Sequence, residues 1–212
     1  MSTNFPQNFF QFFTQIFFFY SLISINSINS MEGIDLFQLT TLDDFNCLKE
    51  KLSAKFVIIR GGRSVGLVDS NLIKNIKNAR GGGFEDVDIY IFPCVKPELI
   101  KNINKNVTCG NARETITSVL NELNCNNLKI GRVWLDIEGE PGENNKNQTY
   151  YWYEDKEKNI EFIDGMINIL NENNQLFGIY ASKYFWTKIT GNEQKYSSQQ
   201  KTFLCGMPIM ME

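Results

Sequence analysis

Two acids stand two residues apart in Trp134-Leu135-Asp136-Ile137-Glu138-Gly139, and that spacing is the first place where this chain could do chemistry. In an extended strand the side chains alternate between faces. Val133, Leu135 and Ile137 then point one way, and Trp134, Asp136 and Glu138 the other. At about 3.3 Å of rise per residue, the two acids sit roughly 6.5–7 Å apart. That separation suits a pair of carboxylates working on one substrate bond, and their like charges raise the pKa of one of them. A polar strand end facing solvent would read the same way locally, so the surrounding elements must decide.

The chain has 212 residues, enough for one domain with a sizeable core. It contains no histidine. Ser-His-Asp and Cys-His catalysis and His-ligated zinc are thereby excluded, and any hydrolysis falls to carboxylates. A net charge of −3 with no basic run argues against nucleic acid as a partner. No cofactor motif is present: no G-x-G-x-x-G follows the first strand and no Walker lysine appears.

Residues 1–30 differ from the remainder. A strongly apolar run at 9–25 is followed by a small, polar segment at 26–30. The expected reading is a secretory signal peptide cleaved near Ser27 or Ser30, with an uncleaved membrane anchor as the alternative. Secretion implies disulfides among Cys47, Cys94, Cys109, Cys125 and Cys205. The expected pairs are Cys94 with Cys109 and Cys47 with Cys125, leaving Cys205 odd. Glycosylation sequons at Asn106 and Asn147 agree with that compartment.

The elements that must position the acids alternate in kind. Strands are predicted at 33–37, 55–59, 86–92, 129–138 and 176–180. The run Lys55-Phe56-Val57-Ile58-Ile59 has the continuous apolar character of a buried parallel strand. Helical periodicity predicts helices at 42–52, 69–80, 111–123, 157–173 and 183–189. Thr40 or Thr41 caps the first, and Gly81-Gly82-Gly83 stops the second. Five β/α units in series make a parallel α/β sheet or barrel. In such barrels the C-terminal ends of the strands carry the chemistry. Asp35, Asp88, Tyr90, Asp136, Glu138 and Tyr180 are the acids and aromatics placed there.

Four segments share order and spacing with one family: Gly33-Ile34-Asp35-Leu36-Phe37-Gln38, Asp86-Val87-Asp88-Ile89-Tyr90-Ile91-Phe92-Pro93-Cys94, Trp134-Leu135-Asp136-Ile137-Glu138-Gly139, and Phe177-Gly178-Ile179-Tyr180-Ala181-Ser182 with Trp186. Together they closely resemble glycoside hydrolase family 25, the Chalaropsis-type lysozymes, especially the secreted forms of amoebae and nematodes. The resemblance covers residues 31–198. It implies a modified TIM-like β/α barrel of five β/α units closed by three further strands. It also implies hydrolysis of the β-1,4 bond between N-acetylmuramic acid and N-acetylglucosamine in bacterial peptidoglycan. By the same resemblance Glu138 is the proton donor, Asp136 its partner and Asp35 a third acid. Asp88, Tyr90, Phe92 and Tyr180 are the substrate-binding candidates, with the aromatic faces stacking on sugars. The expected organisation is a leader at 1–30, an incomplete catalytic domain at 31–198 and a divergent tail at 199–212. The family's three closing strands find no counterpart in that tail. The protein is expected to be a monomer in the extracellular space or a lysosomal or phagosomal lumen, without stable membrane association after leader removal.

The chemistry of the residues agrees with that expectation. A glycosidase needs one protonated and one ionised carboxyl. The estimated spacing lies between the retaining range of about 5–5.5 Å and the inverting range of about 6.5–9.5 Å, so the stereochemical outcome stays open. Two other readings compete. One is an inactive remnant that retains glycan binding at most. The other is a chitinase-like barrel, whose Asp-x-x-Asp-x-Asp-x-Glu run is absent here.

Overall fold

The computed structural model describes residues 33–97, 107–143 and 150–191. The leader, both sequon asparagines, Cys205 and the divergent tail lie outside the described residues.

A parallel sheet in the order β1-β2-β4-β5-β6 forms the spine, built from Gly33–Leu36, Phe56–Arg63, Asp86–Ile91, Val133–Asp136 and Phe177–Tyr180. Parallel neighbours require crossovers, and these are the helices α1 (Leu42–Leu52), α2 (Leu72–Gly81), α3 (Ala112–Cys125) and α4 (Lys156–Glu172), with α5 (Lys183–Thr190) after the last strand. The five β/α units expected from the sequence are thus present, and among the described residues the sheet does not close on itself. Among the described residues, β1 and β6 each pair on one side only.

Local chemistry fixes the helix starts. Thr41 caps α1 in a reciprocal capping box with Asp44. Asn111, Asp155 and Ser182 accept first-turn N–H groups at the starts of α3, α4 and α5. Helix α2 begins later than its periodicity suggests. Asp69 is diverted, one carboxylate oxygen accepting from Asn71 N at 2.8 Å and the other bound to Arg60 at 2.6 Å.

The sequence expectation for the second strand is corrected. It runs on through Gly61 and Gly62 to Arg63 and turns back as the two-residue antiparallel strand β3, Leu67–Val68. The glycine pair that reads as a terminator serves close packing instead. A Cβ on Gly61 would lie 2.9 Å from the Ile89 side chain, and one on Gly62 would lie 2.8 Å from that of Ile91. The register shifts between Arg60 and Gly62, as a bulge produces.

Strand register sorts the side chains into two faces. Val57, Ile59, Ile89, Val133, Leu135 and Ile179 are fully buried and belong to the core. Asp35, Ile58 and Asp88 share one row of the opposite face, Arg60, Tyr90, Trp134 and Gly178 the next, and Asp136 and Tyr180 the last. The polar and aromatic side chains therefore collect on the face opposite that core.

One disulfide joins Cys94 to Cys109, as the sequence suggests. The expected Cys47–Cys125 bridge does not form, and both thiols are free. Cys47 lies in α1, which packs on α2, whereas Cys125 ends α3, which packs on α4. The two side chains belong to different helix pairs.

Candidate active site

The site is built at the C-terminal end of β5. Asp136 closes that strand in register with Tyr180 of β6, and only 2% of its surface is exposed. Its Oδ1 is buried with no hydrogen-bond partner among the described residues. An ionised carboxylate is expensive in such a place. Burial, then the charge of Glu138, then that of Asp35 push the Asp136 carboxyl well above its ordinary range. The three acids come from β1, the end of β5 and the loop after β5. Glu138 is half-buried, and burial raises it too. Burial likewise raises Asp35.

Tyr90 joins the cluster from β4. Its hydroxyl is pushed above the ordinary tyrosine value by burial. Arg60 opposes that shift, while Asp136, Asp35 and Asp69 add to it. Tyr180 is 9% exposed beside Asp136. Phe92, just beyond β4, meets the Tyr151 ring edge-on at 5.2 Å.

Asp88, a substrate-binding candidate from the sequence, is engaged lower in the sheet. Its two oxygens accept from Arg132 N at 2.7 Å and Trp134 Nε1 at 2.9 Å. It is absent from the charges that act on Asp136.

Several contributors escaped the sequence reading. Arg60 stands beside Tyr90 on the same face of the sheet, with Nε on Asp69 and its guanidinium 4.8 Å from the centre of the Phe37 ring. The alternation of β2 would have shown it had the strand not been ended at Ile59. Trp152, fully buried, donates from Nε1 to the Glu138 carbonyl at 2.8 Å. It belongs to the aromatic run 150–153, which the sequence makes conspicuous without revealing its target. Two residues past Glu138, Glu140 accepts from the Tyr184 hydroxyl of α5 at 2.8 Å.

Parallel β/α units that gather acids and aromatic rings at their strand ends, with the acids biased toward protonation, define a glycoside hydrolase layout. Comparison with known proteins gives the family. The family described as Lysozyme-like protein 1 matches residues 26–203. A Dictyostelium discoideum protein named "Probable GH family 25 lysozyme 2" is 32% identical over 181 residues, covering 85% of this chain and 74% of that one. Lysozyme-like protein 5 of Caenorhabditis elegans is 33% identical over 180 residues, covering 85% of this chain and 72% of its own. Among solved structures, a muramidase from Acremonium alcalophilum superposes with a TM-score of 0.56 at 18% identity, over 78% of this chain and 72% of that one. The chain belongs to the glycoside hydrolase family 25 lysozymes and their lysozyme-like relatives.

Proposed function

We propose that this chain hydrolyses the β-1,4 bond between N-acetylmuramic acid and N-acetylglucosamine in bacterial peptidoglycan. Glu138 donates the proton to the leaving oxygen, and Asp136 is its partner on the same strand end. Asp35 completes the acidic site, and Tyr90, Phe92 and Tyr180 line the sugar groove. The observation that carries this reading is that Asp136 ends β5 buried and in register with Tyr180, its Oδ1 without a hydrogen-bond partner among the described residues, with Glu138 two residues on. Burial raises all three carboxyls. A raised carboxyl keeps its proton closer to neutrality, which a general acid requires. The free-standing relationship to enzymes named lysozyme and muramidase supports the substrate class.

Release of reducing ends from purified peptidoglycan tests the proposal. Wild-type protein is expected to release them, and Glu138→Gln to be slower by about 10²–10⁴-fold, the usual contribution of general acid catalysis. Equal release by both proteins would refute the assignment.

A second reading, glycan binding without turnover, is favoured by the unpaired outer sides of β1 and β6 among the described residues. It expects the protein to sediment with insoluble peptidoglycan while releasing no reducing ends. We also infer an oxidising destination, extracellular or lysosomal, and the Cys94–Cys109 bridge supports it.

A further inference from the structure

We propose that Lys96 and Trp152 are positioning residues that clamp the loop 138–142 and so hold the Glu138 carboxyl in the site. The inference rests on Glu138 as proton donor and identifies what keeps it in place.

Glu138 lies beyond the last residue of β5, so strand pairing at that position does not hold it. The next residue, Gly139, has φ of +96°, where glycine is the permissive choice. Left to itself such a segment samples many conformations. Here it is gripped at both ends. Trp152 Nε1 donates to the Glu138 carbonyl at 2.8 Å, and the Trp152 carbonyl accepts from Gly142 N at 3.1 Å. Between those points Pro141 forms a β-bridge with Trp152. From the other side, Lys96 Nζ donates to the Gly142 carbonyl at 2.6 Å.

The clamp is itself anchored. Lys96 lies two residues after Cys94, whose bridge to Cys109 ties that loop to the start of α3. Tyr153, next to Trp152, exchanges backbone hydrogen bonds with the buried Asn159 side chain of α4, at 3.0 and 2.8 Å.

The chemistry of Lys96 is the second argument. Its surface is 0% exposed, and its ammonium lies 5.4 Å from the centre of the Tyr153 ring. Burying an ammonium is costly unless its N–H groups are satisfied, so its donors must be held in a fixed geometry. The buried Lys96 is therefore a strong local constraint on the Gly142 carbonyl it holds. Among the described residues, the charges of Glu138 and Asp35 both act on Asp136, and Glu140, two residues past Glu138, is held by Tyr184. Burial is what raises Glu138, so a loosened loop admits water and returns the carboxyl toward its ordinary range.

The test uses the full chain with Lys96→Met, Lys96→Arg and Trp152→Phe, each checked for fold by circular dichroism. The first readout is the titration of Glu138 by ¹³C NMR on glutamate-labelled protein, assigned by its loss in Glu138→Gln. Trp152→Phe, which changes no charge, is expected to lower the Glu138 pKa. Lys96→Met also removes a cation, which acts in the opposite direction, so it is read by kcat, with Lys96→Arg restoring the loss. On peptidoglycan the first two are expected to lose about tenfold to a hundredfold in kcat, with KM within about twofold, as misplacement of a catalytic group does. If folded variants titrate as wild type and keep their kcat, Lys96 and Trp152 are structural only and the proposal fails. Should Lys96→Met not fold, Trp152→Phe, which keeps an aromatic ring in place, decides the matter by the same two readouts. Equal wall cleavage by Glu138→Gln and wild type would overturn the proton-donor reading separately, and the titration would still test the clamp.

Discussion

The indole of Trp134 holds the carboxylate of Asp88, Nε1 donating to Oδ2 at 2.9 Å. The second oxygen accepts from Arg132 N at 2.7 Å. Gly131 leaves room for it, since a Cβ there would lie 2.4 Å from Oδ1. Asp88 thus fixes the ring that stands beneath Asp136 on the same face of β5. Asp88→Ala leaves two donors without their acceptor, at an expected cost of about 1.5–3 kcal/mol, the range for hydrogen bonds to a charged group. Urea unfolding measures that loss. Wild-type stability combined with a raised KM would instead return Asp88 to the sugar groove.

The three acids set the sign of a pH effect on stability. Burial raises the carboxyls of Asp136, Glu138 and Asp35 above their unfolded values, and Asp136 is raised further by the other two. A raised pKa means that the folded state binds the proton more tightly, so this contribution is complete below the unfolded value, 3.8 for Asp136. It is lost as pH climbs through the folded value. Asp136→Asn removes an ionisable group from a site that disfavours its charge, and is expected to raise the melting temperature at about pH 7. The gain should shrink toward zero at about pH 3, where the aspartate is protonated in both states. Thermal melts at the two pH values measure it, and a loss of stability at the higher pH contradicts the assigned cause.

Activity should carry the mark of the same shift. A proton donor works only while protonated, so kcat/KM is expected to fall as pH rises through the Glu138 pKa, which burial has moved above its ordinary 4.5. Reducing-end assays across pH locate that limb. A limb at or below 4.5 would mean that the donor is a solvated carboxylate elsewhere on the chain.

Strong periodicity made most of this fold legible. Five parallel strands and five helices occur in the predicted order, though β2 runs on to Arg63, α2 starts at Leu72 and β5 ends at Asp136, two residues short of Glu138. The reading failed where tertiary packing overrides local signals. Gly61 and Gly62 look like a strand end, yet they are small because Ile89 and Ile91 press on them, and so Arg60 went unseen at the site. Asp88 obeys the alternation that recommended it, but pattern alone cannot say that Trp134 and Arg132 N will occupy its oxygens. Lys96 and Trp152 act through the backbone of a distant loop, and no spacing encodes that. Cys94 and Cys109 share one loop, whereas pairing Cys47 with Cys125 required two helices that do not pack together.

Gly178 supplies the last prediction. It pairs with Trp134 across β5 and β6, and a Cβ there would lie 2.5 Å from the indole ring. Trp134 is 6% exposed and held by Asp88, so the ring has little room to yield. Gly178→Ala is expected to cost about 1–3 kcal/mol, the usual range for overpacking a filled interior. The displaced ring bears on Asp136, two residues along the same face, so kcat should fall together with stability. Trp134→Phe in the same chain shortens the six-membered edge of the indole that Gly178 meets. If that second change restores stability to Gly178→Ala, the clash is the cause. If the two losses simply add, glycine is needed at 178 for its backbone and not for the space it leaves.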